Sequence, residues 1–140
     1  MRLLRHCVGA LTVCTLHSAA SRRQLIDSSP PLVPRLLQQV LLSTPANHSD
    51  DGLVVGNTAL LLGHCVGHEP AAAVTQFVTS SGSRDVVAGL LELSRDQATP
   101  TARHNCAVLI ARLVQAHEPY LHRLRELHGL EILHTVLKHQ

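Results

Sequence analysis

Apolar residues recur along most of this chain at i, i+3 and i+4, the spacing of one helix face. Val33-x-x-Leu36-Leu37, Val87-x-x-Leu90-Leu91 and Leu133-x-x-Val136-Leu137 carry that face three times. A shorter helical stretch precedes each one, at residues 22–27, 71–78 and 120–127, the last with Leu121, Leu124 and Leu127 on one side. A breaker follows each short stretch: Pro30-Pro31, Gly82 or Gly129. A glycine there is predicted to cap the helix in the left-handed conformation, which it adopts without a Cβ penalty. Thr99-Pro100 reads as an N-cap with proline at the first helical position. Ser49-Asp50-Asp51 can cap the helix that contains Asn57, its carboxylates facing the positive helix end. Glu69-Pro70 and Glu118-Pro119 mark junctions where one helix stops and the next starts. No alternating apolar–polar run flanks an Asn-Gly or Asp-Gly turn, so strands are not predicted. The pattern predicts an all-α chain.

A third set of segments is longer and self-similar. Val8-Gly9-Ala10-Leu11, Asn57-Thr58-Ala59-Leu60 and Asn105-Cys106-Ala107-Val108 open stretches that align at steps of 49 and 48 residues, from Ala10 to Ala59 to Ala107. The same register superposes Val13, Leu62 and Ile110, then Leu16, Cys65 and Leu113. Cys14, Gly63 and Ala111 form a column of small residues, which predicts a close contact between helices. A short, a middle and a long helix repeating at just under 50 residues approaches the unit length of armadillo and HEAT arrays. Such units bury their apolar faces by stacking. The expected fold is a right-handed α-solenoid. Its units are a partial repeat over residues 1–20, repeats over 21–68 and 69–117, and a partial repeat over 118–140. Two full cycles with part-units on either side suggest the end of a longer array, or a short product cut from one.

Gly129-Leu130-Glu131-Ile132-Leu133 after a short helix, with Asn105-Cys106-Ala107-Val108-Leu109 in a long one, resembles armadillo repeats. In that family a glycine precedes the middle helix, and a small-residue Asn-Ala stretch opens the third. The run Leu124-Arg125-Glu126-Leu127-His128-Gly129-Leu130-Glu131-Ile132-Leu133 resembles more specifically an armadillo region from a cytosolic factor that assembles the dynein arms of motile cilia. The resemblance implies a cytoplasmic assembly role, with other dynein arm assembly factors as partners.

Composition narrows the alternatives. Hydrophobic residues make up 45% of the chain and charged residues 16%, which excludes a disordered charged tail. A net charge of +2, with one Phe, one Tyr and no Trp, argues against nucleic acid and against a membrane surface. The densest basic cluster, His122-Arg123-x-Arg125, has Glu126 interleaved and reads as solvated helix. No apolar run reaches the roughly 18 residues that a membrane span needs. Residues 1–20 do imitate a secretory signal, with Arg2 and Arg5 before an apolar stretch and Ser18-Ala19-Ala20 after it. Against that, His6, Thr12 and Thr15 dilute the stretch, and it fits the repeat. A secreted helical protein is therefore kept as an alternative. The four cysteines lie scattered in apolar stretches with no CxxC pair, as free thiols in a reducing compartment would.

Eleven histidines call for a test of metal and catalysis. His64-Cys65-x-x-His68 places two histidines on one helical face, but zinc requires more ligands and no second cluster accompanies it. A small helical metal- or thiol-dependent protein using His64, Cys65 and His68 is the other alternative. Cys65 aligns with Leu16 and Leu113, and Cys14 with Gly63 and Ala111, which is packing behaviour. Gly63-His64-Cys65-Val66-Gly67 lacks the Lys-Ser/Thr ending of a phosphate loop. Catalysis is not expected, and neither is a cofactor. What remains is surface. In armadillo proteins the third helices line a concave groove whose Trp and Asn ladders hold an extended peptide. By the resemblance, the Trp position falls on Leu11, Leu60 and Val108, and the Asn position on Thr15, His64 and Arg112. Both ladders are missing. With His104 one turn earlier, these residues suggest a protein-binding groove suited to a mildly acidic or helical partner, without a basic-peptide ladder. Exposed faces at the two repeat ends suggest self-association as well.

Overall fold

The computed structural model describes residues 2–29, 31–42, 52–80 and 85–138, except for the side chains of residues 2–5 and 80. Among them there are helices and no strands: α1 (Arg2–His17), α2 (Ala19–Asp27), α3 (Leu32–Leu36), α4 (Gly52–His68), α5 (Pro70–Ser80), α6 (Val86–Asp96), α7 (Pro100–Ala116), α8 (Glu118–Glu126) and α9 (Gly129–Lys138). A π-helical turn, Leu37–Leu41, continues α3. The all-helical expectation is met. Each short, middle and long segment read from the sequence falls on its own helix.

Helix ends follow their residues, with two departures. Ser18 caps α2 by accepting from the Ser21 amide, and Asp85 caps α6 by accepting from the Ala88 amide at 3.0 Å. Thr99 occupies the N-cap of α7 in extended conformation with Pro100 following, yet its side chain makes no capping bond. Gly129 does not take the left-handed cap expected of it. His128 does, at φ 55°, while Gly129 opens α9. A Cβ on Gly129 would run into Leu124, and would sit 3.0 Å from Leu91 Cδ2. This glycine is required for close approach between α8, α9 and α6. The proposed breakers Pro30 and Gly82 and the cap at residues 49–51 lie outside the described residues.

The core is built from leucine and small residues. Leu61, Leu62, Leu90, Leu109, Ile110 and Leu113 are fully enclosed, together with the only phenylalanine, Phe77. The three long helices lie side by side: α4 packs along α1 on one flank and α7 on the other. They run parallel, since Gly9 lies near Asn57 and Thr15 near His64, while Gly56 lies against Ala102 and Gly67 against Arg112. The middle helices α6 and α9 back onto α7, and the π-helical turn backs onto α4. On α1 the aligned positions diverge. Val13 and Leu16 are 59% and 49% exposed, whereas Leu62, Cys65, Ile110 and Leu113 are buried. Among the described residues no middle helix covers that face of α1.

The small-residue column also separates. Gly63 is buried against α7, Ala111 is half-buried and Cys14 is exposed. A close approach to neighbouring backbone falls elsewhere, at Gly56, where a Cβ would lie 3.3 Å from Ala102 Cα.

Candidate functional site

The parallel arrangement brings residues of equal repeat position into one band across α1, α4 and α7. Leu11, Leu60 and Val108 are all half-buried, a shallow apolar lane at one register. One turn onward, Thr15 and His64 are buried between helices, and Arg112 is half-buried. The band's polar residues are therefore divided between an inter-helix layer and a surface.

The inter-helix layer is tied by side chains. Thr15 Oγ1 lies 3.5 Å from His64 Nδ1, and the hydroxyl also reaches the carbonyls of Leu11 and Thr12, 2.9 and 3.0 Å away. Thr12, one turn before, donates to Val8 O on its own helix and to Asn57 O on α4. Asn105 Nδ2 donates to Gly56 O at 3.0 Å, the matching link from α7 to α4. Arg22 of α2 turns inward and donates from Nη1 to Thr15 O at 2.6 Å, covering a carbonyl near the end of α1. Thr12 and Asn105 thus tie α1 and α7 to carbonyls of α4, and Arg22 ties α2 to α1.

Arg112 holds the surface. Its side chain lies across α4 where that helix carries glycines: a Cβ at Gly63 would be 3.2 Å from Arg112 Nη1, and one at Gly67 would be 3.4 Å from Cζ. Any larger residue at Gly63 would push the guanidinium away. Nη1 is buried there with no hydrogen-bond partner. The remainder of Arg112 lines a cleft of about 230 Å³ with Val66, Gly67, Pro70, Gln115 and Ala116. His104, at the other end of the band, is half-buried, and its Nδ1 has no partner. The glycine bed under Arg112 has a sequence signal, Gly63-x-x-x-Gly67, which gains meaning only once α7 is known to lie over it.

Burial, followed by the nearby charges of Arg112, His68, Arg22 and His17, pushes the His64 pKa below its ordinary 6.5. A histidine that is neutral when folded but protonates near 6.5 when unfolded favours unfolding as the medium is acidified. Its contribution is complete above pH 6.5 and is lost progressively as pH falls from there towards the folded-state value. His64→Gln is expected to flatten the fall in stability between about pH 7 and 5.5, read from urea midpoints at both values. An unchanged slope would show that His64 is not held neutral.

The four thiols divide between core and surface. Cys65 and Cys106 are buried, and burial pushes their thiols up to about 11 and about 12. Cys7 and Cys14 are exposed. In native protein Cys7 and Cys14 should therefore be labelled quickly by a thiol reagent, whereas Cys65 and Cys106 should wait for urea. Fast labelling of Cys65 would contradict its place in the core. Cys65 points into that core, His64 lies between helices and His68 is exposed, so the three do not face one centre. Among the described residues no group of three His, Cys, Asp or Glu converges, and no helix is long and apolar enough to cross a membrane. Of the basic cluster on α8, Arg123 is engaged by Asp85 at 2.7 Å and by Glu126 at 3.0 Å. Partial burial works against the Asp85 charge. The Ala88 amide and Arg123 outweigh it and hold that carboxyl below the usual range.

The chain is similar to mouse tetratricopeptide repeat protein 12, at 30% identity over 138 residues, and to the human protein of that name, at 29% over 136 residues. Each match covers 96% of this chain but only 17% of the relative, so the chain spans about a sixth of the curated relatives it matches. No protein-family model matches the chain, and no solved structure does. With its all-helical fold, this similarity supports a relationship to helical repeat proteins.

Proposed function

We propose that this chain is a non-catalytic protein–protein interaction and assembly module of the armadillo type, a right-handed α-solenoid with units at residues 1–20, 21–68, 69–117 and 118–140. The observation that carries the reading is the half-buried lane of Leu11, Leu60 and Val108 across three parallel long helices. A rigid apolar lane edged by Arg112 and His104 can anchor a partner through a few side chains, which is how most interface energy is distributed. Thr15 and His64 serve that face from beneath, fixing the spacing of α1 and α4. The module works in the cytoplasm, and the similarity to tetratricopeptide repeat protein 12 makes dynein arm assembly in motile cilia its proposed process. Its partners there are other dynein arm assembly factors.

The test is affinity capture from ciliated cells with the wild-type chain and a Leu60→Glu/Val108→Glu variant of unchanged helical circular dichroism. Dynein arm assembly factors retained by the wild type and lost by the variant would support the reading. Their equal retention would remove the concave face from it. Self-association has its own observation, the exposed Val13 and Leu16 on α1. If that face pairs with another copy, light scattering will show mass rising with concentration, and Val13→Ser/Leu16→Ser will abolish the rise.

A further inference from the structure

Two arginines, Arg22 and Arg112, lie near the ends of α1, α4 and α7, and the described acids do not neutralise them. His17 closes α1 and His68 closes α4, and the charges of Arg112 and Arg22 are felt at His64. Among the described residues neither Arg22 nor Arg112 takes part in an ion pair. The nearby carboxylate, Glu69, is directed to Arg23 on α2, 3.9 Å away. Arg22 is occupied as a donor to Thr15 O. Arg112 has no such occupation. It rests on the bare backbone of Gly63 and Gly67, with Nη1 buried against Gly63 and without an acceptor, and the residue also lines the 230 Å³ cleft. A cation placed only to offset a helix end would extend into water, where Arg112 lies flat against a neighbouring helix.

The apolar lane adjoins it. Val108 precedes Arg112 by one helical turn, about 6 Å along the axis. In an extended segment, side chains two residues apart share a side and are separated by roughly 6.8 Å. The spacing suits an acidic side chain at Arg112 and an aliphatic one over Leu60 and Val108. We infer that the cleft at Arg112 receives a carboxylate from an acidic, leucine-bearing segment of a protein partner. This rests on the concave-face reading and adds the chemistry of what that face selects. The guanidinium's fork geometry favours a carboxylate over an amide of the same shape.

A fluorescein-labelled peptide of alternating glutamate and leucine tests this by anisotropy, beside one with glutamine for glutamate and one with serine for leucine. The wild-type chain should bind the glutamate–leucine peptide about tenfold or more tightly than the glutamine version, the factor expected of one charge-assisted contact. Arg112→Gln should erase that preference, Arg112→Lys should keep part of it, and Arg125→Gln, an exposed cation on α8, should leave it within about twofold. Equal losses from Arg112→Gln and Arg125→Gln would reduce the effect to general charge and overturn the inference. So would the absence of binding to the glutamate–leucine peptide. If glutamate and glutamine versions bind alike and Leu60→Ser abolishes both, the face remains a binding surface and only the acidic partner is lost.

Discussion

Phe77→Ala is expected to lower the unfolding free energy by about 3–5 kcal/mol, the usual cost of removing a fully enclosed aromatic ring. Phe77 is 0% exposed and is the chain's only phenylalanine, in a core cluster otherwise made of aliphatic side chains and the two cysteines Cys65 and Cys106. It lies on α5, which packs against α3, α4 and α7, so the void would open where several helices meet. Leucines held by several helices cannot all move into it, and incomplete collapse is what raises the cost above simple transfer. Domains of this size are stable by about 5–15 kcal/mol in total, so the variant should unfold at a much lower urea concentration. The neighbouring Val78 is 43% exposed, and Val78→Ala should stay within about 0.5 kcal/mol. Equal midpoint shifts in the two variants would mean that α5 does not bury Phe77.

Helix identity was legible because periodicity is a local property. The i, i+3, i+4 faces at Val33, Val87 and Leu133 each became a helix or a helix with its π-helical turn, and Glu69-Pro70 and Glu118-Pro119 became junctions. The repeat register was legible too, since it carries Thr15 to His64, and those side chains meet. What a column covers was not legible. Val13 and Ile110 hold the same repeat position, yet one faces solvent and the other lies in the core, because α6 backs α7 and no described middle helix does so for α1. Gly129 misled for a related reason. Its place after a short helix suggests a cap, but its constraint comes from Leu124 and Leu91. In the candidate site, sequence identified Arg112 as a departure from an asparagine ladder. It could not show the guanidinium lying over Gly63 and Gly67, since that depends on how far apart α4 and α7 stand.

That separation sets the second large effect. Gly52, Gly56, Gly63 and Gly67 lie along the side of α4 that meets α7. Four glycines in one helix cost backbone entropy, about 0.5–1 kcal/mol each relative to alanine, a cost that close approach can offset. At Gly56 the gain is visible, with a Cβ there 3.3 Å from Ala102 Cα and 3.6 Å from Ala102 Cβ. Backbone cannot turn aside as a flexible side chain can. Gly56→Leu must therefore part the two helices, at an expected cost of at least the 1–3 kcal/mol typical of overpacking. Gly56→Ala should fall near neutral, its gain in helix propensity of about 1 kcal/mol offset by that contact. Gly67 supplies the contrast: it is exposed, and its Cβ would meet Arg112 Cζ at 3.4 Å, an ordinary distance to a movable side chain. Gly67→Ala should accordingly stabilise by about 0.5–1 kcal/mol. Urea midpoints should rank Gly67→Ala highest, then wild type and Gly56→Ala together, then Gly56→Leu. If Gly56→Leu unfolded with the wild type, α4 and α7 could not be in backbone contact, and the lane of Leu60 and Val108 would lose the fixed spacing that makes it a docking surface.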